Sequence, residues 1–283
     1  MRKLTNISRK SWTILSVFLV LTGILMYLYP HIANLLMQEY TVKEITSFKA
    51  AVEEMQEQDH NSSRQQASAE AFAAESVEKE NLKQGKNTLE QNSDLAGGDD
   101  LNKDSLLNKL LEKAEAYNEK LYAEGQKNLI DPFSYEVSSI DLSEYGIEDN
   151  MFGYLEIPKL KVILGIYLGA TAENMSKGAV HLTQTSLPIG GINTNAVIAA
   201  HRGSRNGEMF QFIDKLEAGD EVMITNAWET LTYSVTSIAI IDPKEIDKVL
   251  IQEGRDMITL LSCNPYGKNI QRYVVYCDRV EQE

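Results

Sequence analysis

Hydrophobic and polar positions divide the chain into stretches with different periods. From Ser11 to Tyr29 no side chain is charged. At about 1.5 Å per helical residue, this run approaches the roughly 30 Å hydrocarbon thickness of a bilayer. Trp12 stands at one end, with Tyr27 and Tyr29 at the other, as aromatic side chains do at membrane interfaces. Arg2, Lys3, Arg9 and Lys10 precede the run. Their positive charge predicts a cytoplasmic N-terminus over residues 1–10, a single-pass anchor over 11–30, and the remainder outside the cell. The run is long for a signal-peptide core, and no small-x-small cleavage site follows it, so an uncleaved anchor is expected.

Residues 31–100 read as a polar, acidic tether rich in Glu, Gln, Ala, Ser and Asn. Short helices are expected at Val42–Glu57 and Ser68–Gln84. Neither shows a broad apolar face, so weak docking is expected of both. Leu95-Ala-Gly-Gly-Asp-Asp reads as a linker. A stronger helix follows within residues 101–150. Leu106, Leu107, Leu110, Leu111, Ala114, Tyr117 and Leu121 share one face, with Asp104 or Ser105 as the starting cap and Gly125 as the stop.

Beyond Gly125 the period shortens. Gly153–Pro158, Lys161–Ile166, Asn195–Ala200, Asp220–Thr225, Leu231–Ile241, Met257–Leu261 and Arg272–Cys277 are short, rich in Val, Ile, Leu and Tyr, and punctuated by Gly, Pro, Asn and Asp. Many short strands with few helices predict a mainly β domain over 151–283, a barrel or a sandwich.

Charge narrows the range of partners. The formal net charge is −14, and residues 51–100 contribute −8 of it from 12 acidic and 4 basic side chains. The acidity therefore belongs mainly to the tether and serves solvation. An acidic chain argues against nucleic acid, because phosphate binding relies on Lys and Arg. The histidines are His31, His60, His181 and His201, and no HxxH, CxxC or HExxH spacing exists, so neither a zinc site nor another cofactor is expected. Cys263 and Cys277 are the only cysteines. Composition leaves three readings open for them: a disulfide, one reactive and one buried thiol, or two structural thiols.

Two local patterns carry chemistry. Ala199-Ala-His-Arg-Gly203 delivers His201 from an apolar strand into a Gly-containing loop. Thr259-Leu-Leu-Ser-Cys263-Asn-Pro-Tyr-Gly267 ends a strand on a cysteine and enters a turn, and Arg272 opens the next strand nine positions later. An arginine there reaches the cysteine across the hairpin. A thiolate is the nucleophile, and a nearby imidazolium or guanidinium favours it. A histidine protonates a leaving amine, and an arginine's fixed donors stabilise an oxyanion or hold substrate backbone.

His201 in A-H-R-G, the T-L-x-S-C form of Thr259, Leu260, Ser262 and Cys263, and Cys-x8-Arg ending at Arg272 together resemble the sortase signature. Ser262 stands where that family usually has Thr, which keeps the hydroxyl. The resemblance spans about Met151 to Asp278 and includes Gly153–Pro158, His181, Ser186–Gly190 and Phe210. It implies an eight-stranded sortase β-barrel with short helices, an N-terminal helical region and one N-terminal transmembrane helix. It also implies a cysteine transpeptidase of a Gram-positive surface, with Cys263, His201 and Arg272 as catalytic residues. Such an enzyme cleaves an LPXTG-like sorting signal between Thr and Gly, forms a thioester and passes the acyl group to an amine.

Asp131, Pro132 and Phe133 resemble the lid of class C, pilus-building sortases, which implies Asp131 paired with Arg272 and Phe133 over Cys263. Taken without the other motifs, Asp-Pro is an ordinary turn starter. Ala114–Glu119 and Cys263–Gly267 resemble that class too. The acceptor it implies is a pilin lysine; the alternative is a housekeeping sortase that attaches surface proteins to cell-wall precursor. Many class C members carry a second hydrophobic segment at the C-terminus, and none appears among Arg279–Glu283. A cysteine L,D-transpeptidase ranks low because that family resembles Cys-x-Arg, whereas eight residues intervene here. A tethered β-domain that only binds a surface protein is the non-enzymatic rival. His181 is expected to pack in or near the core, Cys277 to be a buried strand thiol, and Arg202 and Arg205 to be surface or loop charges.

Overall fold

The computed structural model describes residues 9–84, 105–127, 129, 137–147, 149–204 and 207–280. Ten β-strands and three α-helices are formed among them. Eight of the strands close a barrel: β1 (Met151–Ile157), β2 (Val162–Leu168), β3 (Ala179–His181), β4 (Thr194–Ala199), β7 (Glu221–Thr225), β8 (Thr230–Ile241), β9 (Asp256–Asn264) and β10 (Gln271–Arg279). The order around it is β1-β2-β3-β4-β9-β10-β8-β7, and β7 pairs with β1 to close the ring. Two of the pairings, β2 with β3 and β4 with β9, are parallel. The remaining strands, β5 (Arg202–Ser204) and β6 (Gly207–Met209), make a separate hairpin.

Alternation along the strands sorts the side chains into two apolar layers. One draws residues from all eight barrel strands, among them Leu155, Ile166, Ile198, Ile258, Leu260 and Cys277, and fills the lumen. The other takes outward residues such as Val197, Ala199, Leu261 and Val274 and joins them to helices. The seven expected strands are all present. β3 was missed because its three residues are too short to show a period.

Helix α2 (Leu106–Glu124) supplies part of the outer layer through Leu107, Leu110 and Ala114, and Leu121 on the same helix is also buried. Ser105 caps it by accepting a hydrogen bond from the Asn108 amide at 3.0 Å, and Gly125 ends it at φ 71°. The alternative cap, Asp104, lies outside the described residues. Asn118, on the same buried face, donates to the Leu187 carbonyl at 3.1 Å and accepts from the Leu187 amide at 2.7 Å. This two-way bond ties α2 to the Ser186–Gly190 loop. The short α3 (Ala172–Lys177) fills the crossover between β2 and β3.

The tether differs from expectation. A single helix, α1 (Arg9–Gln84), runs on from the apolar stretch and contains Pro30. The segments expected as separate helices, Val42–Glu57 and Ser68–Gln84, are parts of it. The first of them is docked: Phe48, Val52 and Met55 are buried in the outer layer beside α2. These residues recur at helical spacing as a stripe one side chain wide. That stripe suffices because the barrel already supplies the opposing apolar wall.

Candidate active site

The site is set by two pairs of neighbouring strands. In the antiparallel pair β9–β10, Cys263 and Arg272 are direct partners, one step before the last pair, Asn264 and Gln271. In the parallel pair β4–β9, Ala199 lies beside Leu261, and the Ala200 amide donates to the Leu261 carbonyl at 3.1 Å. Two residues on from the Ala199–Leu261 pair, His201 lies just past the end of β4 and Cys263 lies on β9. Cys263 has the facing of Leu261 and Arg272 that of Val274, so both point to the outer layer and away from the lumen.

The hydroxyls of the T-L-L-S-C stretch fasten β9 to β4. Thr259 Oγ1 donates to Asn195 Oδ1 at 2.8 Å, and Ser262 Oγ donates to the Ala200 carbonyl at 2.8 Å. The second bond joins the residue before the cysteine to the residue before the histidine. A hydroxyl at position 262 therefore fixes the relative height of Cys263 and His201. Leu260 packs in the lumen.

Cys263 is half-buried, and its thiol donates to Asn269 Oδ1 at 3.4 Å. The same oxygen accepts from Arg272, whose side chain is buried. Burial pushes the Cys263 thiol above the usual thiol range, while the positive charges of Arg272 and then Arg202 pull it partway back. Burial also holds the His201 imidazole below its usual range. At neutral pH the resting site therefore contains a thiol and a neutral imidazole.

Arg202 departs from the expected surface charge. It is 8% exposed. One guanidinium nitrogen donates to Asn264 Oδ1 at 2.7 Å and another lies 2.9 Å from Asp214 Oδ2. The group also sits 5.2 Å from the centre of the Tyr273 ring. Arg202 thus grips the residue that follows Cys263 and the residue that follows Arg272. Gly203 beside it has φ +79°, and a Cβ there would lie 3.1 Å from the Tyr266 ring, which explains the glycine that ends the A-H-R-G pattern. Arg205 lies outside the described residues.

Asn269 was also missed. An asparagine in a Gly-containing turn reads as turn chemistry, and only the folded hairpin brings it against the thiol. His181 is fully buried. Its Nε2 lies 2.9 Å from the Ser186 carbonyl and its Nδ1 lies 3.2 Å from Ser139 Oγ, which suits an Nε2-protonated neutral ring accepting from the serine. Both cysteines are free, and Cys277 is buried in the lumen, where desolvation pushes its thiol far up. Asp131, Pro132 and Phe133 lie outside the described residues. Among the described residues no cluster of three His, Cys, Asp or Glu side chains is arranged to hold a metal.

The sequence and the fold both have known counterparts. A family model described as the sortase domain matches residues 155–280. The solved structure of sortase C2 from pilus island 1 of group B Streptococcus is 36% identical; the match covers 62% of this chain and 98% of that one, with a TM-score of 0.57. Sortase C from Clostridium perfringens SM101 is 32% identical, with 63% and 92% covered and a TM-score of 0.53. Sortase D of Bacillus subtilis (strain 168) is 28% identical over 131 residues, 45% of this chain and 63% of that protein. The match to this last relative thus spans less than two thirds of its length. With a closed eight-stranded barrel that matches nearly the whole of a solved sortase at this identity, the chain belongs to the sortase family of transpeptidases.

Proposed function

We propose that this sortase is a pilus-building, class C enzyme that cleaves an LPXTG-like sorting signal and transfers the acyl group to a pilin lysine. The observation that carries the chemistry is the direct cross-strand pairing of Cys263 with Arg272, with His201 at the end of the parallel neighbour β4. The pilus assignment draws support from the solved neighbours, several of which are named for a pilus.

Cys263 is the nucleophile. Its proton passes to His201 as the sulfur adds to the carbonyl carbon of the Thr–Gly bond. Arg272 faces the developing oxyanion, or the substrate backbone beside it, with fixed donors. Collapse breaks the C–N bond, and the His201 proton goes to the departing amine, a contribution of roughly 10²–10⁴-fold. A thioester on Cys263 remains. An incoming lysine amine attacks it, His201 accepts the amine's proton, and the thiol is regenerated as the new amide forms. Burial disfavours the charged form of both the Cys263 thiol and the His201 imidazole, so proton transfer between them is coupled to attack.

Asp131 and Phe133 act in this reading as a lid that restrains idle hydrolysis, Asp131 toward Arg272 and Phe133 toward Cys263. The stretch that carries them leaves from buried Leu129 and returns at Val137, whose carbonyl accepts from Thr183 Oγ1. The apolar start of α1 is the membrane span, since α1 is the candidate span among the described residues. The basic residues before it put the N-terminus inside and the barrel outside. The tether, the docking-helix and lid segment, and the catalytic portion then follow the boundaries at residues 30, 100 and 150.

The reading is tested by offering the enzyme a sorting peptide with either a pilin lysine or a peptidoglycan-like amine. Preferential transfer to the pilin lysine is expected. Preference for the peptidoglycan amine assigns the housekeeping role.

A further inference from the structure

The stretch of α1 without Asp, Glu, Lys or Arg does not stop at Tyr29. It continues past His31 to Gln38, and Glu39 is the first carboxylate. That is about 28 residues from Ser11, or roughly 42 Å of helix, against the roughly 30 Å that a hydrocarbon core requires. If Ser11–Pro30 spans the core, about eight residues, His31 to Gln38, remain to cross the headgroup layer before the first carboxylate.

The barrel meets α1 within those residues. The Glu208 amide of β6 donates to Asn34 Oδ1 at 3.4 Å, and Met37 is buried against Gly207. A Cβ at Gly207 would lie 3.0 Å from the Met37 side chain, so the absence of a side chain lets the hairpin approach this closely. Around the contact, large apolar side chains stay open: Ile32 is 52% exposed, Leu35 65%, Leu36 60%, and Ile163 at the start of β2 47%. Sharing Met37 with that contact, a groove of about 490 Å³ is lined by Tyr29, Ile32, Leu36 and Tyr40 of α1 and by Ser176 and Lys177 of α3. Tyr29 belongs both to this groove and to the end of the span. An occupant therefore lies alongside acyl chains, with Lys177 at the polar edge.

We infer that the catalytic barrel is seated on the bilayer. The β5–β6 hairpin, the start of β2 and the end of α3 lie at headgroup level, and a phospholipid of the adjoining leaflet occupies the groove. This rests on the reading of α1 as a membrane span. Burying Ile32, Leu35, Leu36 and Ile163 in lipid removes apolar surface from water, each side chain contributing favourably at roughly 25 cal/mol per Å². β5 begins at Arg202, beside His201, so the reacting groups sit one hairpin away from the membrane.

The chain's two tryptophans make a depth measurement direct. The full-length protein is placed in phosphatidylcholine–phosphatidylglycerol vesicles whose lipids carry bromine high on the acyl chain, and tryptophan fluorescence is read. Single-tryptophan forms report separate positions: Trp12 alone (Trp228→Phe), Trp228 alone (Trp12→Phe), and Leu36→Trp or Ile163→Trp with both native tryptophans replaced by Phe. Strong quenching is expected for Trp12, Leu36→Trp and Ile163→Trp, with little for Trp228. Quenching of Trp12 while Leu36→Trp and Ile163→Trp behave like Trp228 overturns the seat and leaves the span intact. An unquenched Trp12 removes the span itself, and the seat with it.

Discussion

Cys263 and Arg272 face each other as direct partners across the β9–β10 hairpin, and one oxygen of Asn269 accepts hydrogen bonds from both. Antiparallel pairing makes the spacing intelligible. Eight intervening residues allow one further strand pair, Asn264 with Gln271, and a six-residue turn from 265 to 270. The cysteine and arginine then arrive at the same height on the same face.

Asn269 holds the site in its resting form. Its oxygen accepts hydrogen bonds from both the thiol and the Arg272 guanidinium, and the bond from the thiol favours the protonated form over the thiolate. Asn269→Ala is expected to lower the Cys263 pKa and speed iodoacetamide alkylation at pH 7 several-fold. A rate equal to or below that of the parent contradicts this role.

Arg202 is the second cation felt by the thiol. Arg202→Gln removes that charge, so the thiol rises further and the alkylation pH profile moves to higher pH. The thiolate fraction at pH 7 falls, and the alkylation rate falls with it. Arg202→Lys keeps the charge while losing the fork that holds Asn264 and Asp214, so its profile should stay closer to the parent. Superimposable profiles for the Gln variant and the parent exclude an electrostatic role.

His181 makes the fold sensitive to acid. Burial lowers its pKa to about 4, against about 6.5 in an unfolded chain. Between these values the unfolded chain binds more protons, so this contribution is lost as pH falls from about 6.5 toward 4. The lost stability is on the order of 3 kcal/mol. Thermal unfolding followed from pH 7 to 4.5 should show a steep fall in Tm for the parent and a shallower one for His181→Gln. Parallel curves would place the acid sensitivity elsewhere.

Asn118 joins α2 to the barrel through both backbone groups of Leu187. Asn118→Ala leaves a buried amide and a buried carbonyl without these partners, at a cost of about 2–3 kcal/mol. Chemical denaturation should show that loss, and a change within about 0.5 kcal/mol would mean that water replaces the side chain.

The barrel was legible because its strands are short, apolar and bounded by turn residues. The Cys263–Arg272 pairing was legible because a hairpin converts spacing into contact. α2 was legible in its stripe and both caps. The docking of α1 was not, since a stripe of Phe48, Val52 and Met55 looks too narrow until a β-surface faces it. Arg202 and Asn269 were missed for a related reason. An arginine in a loop is normally solvated, and an asparagine in a turn normally serves the turn. Their partners, Asp214, Tyr273 and the thiol, come from other parts of the chain or from across the hairpin. Asp131–Phe133 rests on resemblance.

The central claim is that Cys263 forms a thioester with a sorting signal. The direct measurement is intact-protein mass spectrometry of the full-length chain in detergent, incubated with an LPXTG-type peptide, beside Cys263→Ala and a lid variant carrying Asp131→Ala and Phe133→Ala. An acyl adduct on Cys263 is expected, more abundant in the lid variant and absent from Cys263→Ala, with release of the peptide's C-terminal fragment. An adduct that survives Cys263→Ala, or no adduct on the lid variant with several sorting peptides, contradicts the claim.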